Sequence, residues 1–97
     1  MSRAYTPEEV REMFLGQVKM LARYWSTAER ETDLEKLEGL AFSLLNLFDG
    51  TSAALPAMDI VLRPHPEDKA FRESEGDNYF EDGQVINDCY LHELFHK

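Results

Sequence analysis

The chain has 97 residues, 43% of them hydrophobic and 30% charged, enough for one folded core over residues 1–97 and too few for a second module. Nineteen acidic against ten basic side chains give a formal charge of -9, which repels phosphate and argues against direct nucleic-acid binding. A single cysteine, Cys89, excludes an internal disulfide, and no stretch nears 18 apolar residues, so neither an oxidised scaffold nor a membrane span is expected.

Thr6-Pro7-Glu8-Glu9 has the grammar of a helix start, with Thr6 as N-cap, Pro7 at the first helical position and Glu9 closing a capping box. The spacing predicts a helix to about Arg30. Its apolar residues, among them Val10, Phe14, Val18, Leu21 and Trp25, spread over more than half the circumference, more than one neighbour can cover. Gln17 projects into that apolar arc and needs a polar partner. Thr32-Asp33-Leu34-Glu35 repeats the capping box, and a second helix is expected to run to Phe48, with Asp49-Gly50 ending it in a left-handed cap. This is the most apolar segment and reads as a central helix. Its Gly39 and Ser43, four residues apart, offer a strip for close approach.

After Gly50 the pattern changes. Leu55-Pro56 breaks any helix, and residues 57–63 (AMDIVLR) are β-branched and partly alternating, which predicts a strand. Pro64-His65-Pro66 ends it, and a short helix is expected over 67–75, stopped by Gly76. Asn78-Tyr79-Phe80 and Gln84-Val85-Ile86, around the turn at Glu81-Asp82-Gly83, read as further short strands. Asn87 or Asp88 then caps a closing helix. The expected fold is α+β: mostly helical, with two long N-terminal helices, a small antiparallel sheet and a C-terminal helix.

The sharpest motif is His92-Glu93-Leu94-Phe95-His96, which spells H-E-x-x-H. In a zinc hydrolase the two histidines lie one helical turn apart on one metal, and the glutamate activates the bound water. A third protein ligand is also needed, and His65, Cys89 or an upstream carboxylate would have to supply it. On a helix begun at Ile86, the apolar Tyr90, Leu91, Leu94 and Phe95 share one half of the wheel, and His92, Glu93 and His96 point away from it. That placement lacks the dry cavity a catalytic zinc requires. Cys89, His92 and His96 would form a crowded metal face on one helix, and Cys89 otherwise reads as a small residue at the edge of the core. Pro64-His65-Pro66 is the least generic loop, two prolines holding one histidine stiffly. No catalytic, cofactor-binding or metal residue is therefore assigned.

The segments LEGLAFSLLNLFDG, LPAMDIVLRPHPEDKAF, GDNYF and LHELF resemble a group of small bacterial and phage-associated proteins of uncharacterised function. The likeness spans about Leu37 to Phe95, and its most specific parts are residues 38–43 (EGLAFS) and Pro64-His65-Pro66. It implies that the Leu91-His92-Glu93 element matters without a histidine at position 96. It also marks Glu38, Asp49, His65 and His92 as residues that could form a cluster.

The expected function is a non-enzymatic cytoplasmic protein-interaction module, pairing as a homodimer or with another protein. The apolar arcs of the first two helices are broad for so short a chain, and large exposed patches mark interfaces. A zinc-dependent hydrolase using His92, Glu93 and His96 is the alternative. Weaker still is an acidic decoy for a nucleic-acid-binding protein.

Overall fold

A computed structural model of the protein describes residues 2–29 and 31–96. Helix α1 spans Pro7–Ser26 and helix α2 spans Asp33–Asp49. Both begin as their sequences dictate. The Thr6 hydroxyl accepts from Glu9 N–H while the Glu9 carboxylate accepts from Thr6 N–H, and Thr32 with Glu35 repeats the box. The Arg3 guanidinium, together with the Thr6 amide, holds the Glu9 carboxyl down to about 2. Helix α1 ends earlier than the spacing predicts, since the Ser26 and Thr27 hydroxyls bond back to the carbonyls of Arg23 and Tyr24 and close its last turn. Arg30, its predicted end, lies outside the described residues.

The close approach expected at Gly39 is made by a side chain rather than a backbone. The Trp25 indole lies over Gly39, where an added Cβ would stand 2.5 Å from ring carbons. Its Nε1–H donates to Ser43 Oγ at 3.0 Å. The small strip on α2 is thus the seat of one aromatic ring. Gly39→Ala is expected to lower stability by up to about 2 kcal/mol, the overpacking cost of up to about 3 less a helix-propensity gain of about 1. A urea titration followed by circular dichroism checks it; an unchanged or higher midpoint would show that the ring can move aside.

Helix α2 stops at Gly50, whose φ of 78° takes the left-handed cap; Gly50 N–H bonds Leu47 O and Thr51 N–H bonds Asn46 O. The chain then returns over the helix end, where Met58 N–H donates to Phe48 O. Among the described residues the fully buried hydrophobics are Leu47 and Leu55, and the one buried charged residue is Asp49. Phe14 of α1 meets Phe48 of α2 at 5.8 Å between ring centroids. The predicted closing helix is much shorter than expected: it covers Leu91–Leu94, and neither Asn87 nor Asp88 caps it. Its cap comes from Asp49.

The contacts divide the chain into two compact units: Met1–Met58 with Tyr90–Lys97, and Asp59–Cys89. The second holds helix α3, Asp68–Ser74, close to its predicted span and followed by Gly76 at φ 75°. The closing helix of the first unit is α4. Within the second unit Arg72 pairs with Asp68 one turn away and lies over the Phe80 ring, while Lys69 covers the Tyr79 ring. The α+β expectation is overturned here. The structure is 51% helical with 2% strand, and the described residues form no sheet.

What exists in place of the sheet is one isolated antiparallel bridge, Val61 with Val85. Around it run three backbone hydrogen bonds: Leu62 N–H to Gln84 O, Gly83 N–H to Leu62 O, and Ile86 N–H to Ile60 O. The reason is local. The Asn87 side-chain oxygen takes the Ile60 N–H that would continue a ladder, and Pro64 and Pro66 have no N–H to donate. The alternation read from the sequence is present, with Ile60 and Leu62 partly covered and Val61 exposed, but it serves a tight extended loop. Residues 78–80 form no strand. Among the described residues no helix is long and apolar enough to cross a membrane.

Candidate functional site: a carboxylate-histidine clamp

Asp49 is the last residue of α2, and its side chain has no solvent exposure. Left unmatched, a buried carboxylate would be costly. Here Oδ1 accepts from Leu91 N–H at 3.1 Å, and Oδ2 accepts from His92 N–H at 2.9 Å and from His92 Nδ1–H at 2.6 Å. Burial alone would push the Asp49 carboxyl up. The His92 amide, the His92 ring and the Leu91 amide outweigh it and hold the group below the usual aspartate value. One side chain therefore finishes α2 and starts α4.

The His92 side chain is 17% exposed, so it turns into the structure rather than away from it. Its ring meets Phe42 edge-on at 5.7 Å and lies 5.6 Å from Tyr90. His96 stacks on the other part of this aromatic group, 5.3 Å from Phe42 at 30°. This corrects the expected wheel in part: His92 is half-buried and Tyr90, Leu94 and Phe95 are exposed, while Leu91 is partly covered and Glu93 and His96 are exposed as expected. The wheel assumed a helix from Ile86, whereas the helical turn begins at Leu91, so the assumed angles do not apply. Phe42 of α2 is the platform for both histidines.

The four residues that the sequence singled out as a possible cluster do not act as one group. Asp49 and His92 meet. Glu38 is exposed on α2, eleven positions before Asp49, which places it about 16 Å away along the helix axis. His65 belongs to the Asp59–Cys89 unit and acts locally, because its Nδ1 accepts from Glu67 N–H and its carbonyl accepts from Asp68 N–H, which sets the first turn of α3. It also borders a cavity of about 350 Å³ with Pro64, Pro66, Lys69 and Glu81. Cys89 is exposed, not at the edge of a core.

The H-E-x-x-H letters do not build the geometry they spell. Helical structure ends at Leu94, before His96. Among the described residues no group of three histidine, cysteine, aspartate or glutamate side chains is placed to hold a metal ion. Sequence reasoning linked Asp49 with Gly50 as a helix stop and had no local signal for a bond spanning 42 residues. The arrangement is that of a two-helix hairpin carrying a clamped terminal segment. Comparison of the chain with protein-family models, curated proteins and solved structures finds no match in any of the three.

Proposed function

We propose that the protein is a non-enzymatic, cytoplasmic protein-interaction module that pairs with a second copy of itself. The observation that carries this is the uncovered apolar surface of the α1–α2 hairpin. No residue of α1 is fully buried. Leu15 and Met20 are about half exposed, and Tyr24, Leu34 and Leu37 about two-thirds exposed. Returning each to an apolar contact is worth about 1 to 2 kcal/mol, so Leu15, Leu34 and Leu37 of two chains, six side chains on one side of the hairpin, contribute about 6 to 12 kcal/mol. Association costs about 4 to 15 kcal/mol in lost freedom, which leaves room for a stable pair. The clamp supports the same reading, because the Asp49 carboxylate and the Nδ1 of His92 are occupied in holding the chain together.

Sedimentation equilibrium on untagged protein at micromolar concentration is expected to give the mass of a dimer. A strict monomer at high micromolar concentration would overturn self-association. Stoichiometric zinc in protein purified without histidine affinity would overturn the non-enzymatic part of the reading.

A further inference from the structure

The two sides of the hairpin are chemically different. One side holds a shallow groove of about 360 Å³ between the end of α1 and the start of α2, lined by Ala22, Trp25, Lys36, Leu37 and Leu40, with Asp33 at its rim. Leu15 lies seven residues before Ala22, two turns back along the same side of α1. The floor is apolar. The groove carries one acid and one base, a neutral patch on a chain of formal charge -9. Among the described residues neither Asp33 nor Lys36 makes an ion pair.

We infer that this groove is the dimer face, closed by the same groove of a second copy around a two-fold axis; the inference rests on the self-association proposed above. An isologous contact sets residue i against j and j against i. Asp33 and Lys36 are three residues apart on α2, as are Leu34 and Leu37. Crossing two α2 helices antiparallel about the midpoint between Leu34 and Glu35 brings Asp33 to Lys36 of the partner copy, with Leu37 of each copy beside the contact. The Asp33–Lys36 pair is then made twice, and Leu37 of each copy is covered. Two hairpins joined in this way present four helices around a shared apolar centre.

The test compares dissociation constants by sedimentation equilibrium, with circular dichroism to confirm helix content. Leu37→Glu alters a side chain that is 65% exposed, so the hairpin itself is expected to stay folded while the dimer weakens at least 100-fold. Asp33→Lys and Lys36→Asp each set like charges opposite one another twice, and each is expected to weaken the dimer about tenfold. The double exchange restores opposite signs and is expected to recover binding to within about threefold of the parent. If the parent is a dimer and Leu37→Glu leaves it intact, this face is wrong while self-association stands. Additive losses with no recovery in the double exchange overturn the register. A monomeric parent overturns the face and the function together.

Discussion

Replacing Asp49 with alanine is expected to cost about 3 kcal/mol of stability, the largest loss available from a single polar side chain in this structure. Its carboxylate satisfies two backbone N–H groups and one ring N–H at once. Each buried donor left without a partner costs about 1 to 3 kcal/mol. The loss is bounded by the strength with which residues 91–96 pack on α2, for the segment can detach and hydrate its amides. Hydrogen exchange distinguishes the two responses: protection at Leu91 and His92 is expected to vanish while that of mid-α2 amides persists. Asp49→Asn keeps the shape but turns one acceptor into a donor, so it is expected to recover only part of the loss. The pH dependence has a definite sign. Because the folded carboxyl lies below its ordinary value, the contribution is complete above about pH 4 and is lost as the pH falls through the folded value. Urea midpoints of the parent should fall over that acid range, and the fall should be smaller in Asp49→Asn. An identical pH profile in the two proteins would show that the carboxylate is not the group responsible.

Gly50→Ala is the second large effect, expected at about 3 kcal/mol, with a built-in control. Gly50 and Gly76 share nearly the same positive φ, 78° and 75°. They differ in surroundings. A Cβ at Gly50 would stand 2.6 Å from Ala57 N and 2.7 Å from its Cα, a backbone that cannot swing aside, whereas a Cβ at Gly76 meets nothing within 4 Å. Gly76→Ala should therefore cost only the left-handed backbone term, about 1 kcal/mol, and Gly50→Ala should add an overpacking cost of about 2 kcal/mol. Equal melting-temperature losses in the two variants would mean that residue 57 yields without penalty.

Both long helices were legible because the signals that start them, Thr6 with Glu9 and Thr32 with Glu35, are local, as is the stop of α2 at Gly50; the end of α1, set by hydroxyls of Ser26 and Thr27 turning back on the helix, was not. Helix α3 was legible for the same reason, between Pro66 and Gly76. The sheet was misread because alternation at Ile60, Val61 and Leu62 reports which way side chains face, and says nothing about what receives the backbone N–H groups. Asn87 receives one of them with its side chain. At the candidate site the histidine and the aspartate were each visible as residues. Their meeting was not, since it depends on a carboxylate capping a segment far along the chain, and the wheel used for His92 presupposed a longer helix.

Trp25 is the chain's single tryptophan, and it sits on the contact that docks α1 against α2. The protein thus carries its own optical reporter. Indole emission will follow separation of the hairpin and remain silent to release of the terminal segment, which Leu91 and His92 amides report. Tyr24, 5.2 Å away, excites the same indole by energy transfer. If unfolding is one cooperative event, emission and amide exchange will share a midpoint. If the clamp opens first, they will separate, and the order of events can be timed without attaching a label.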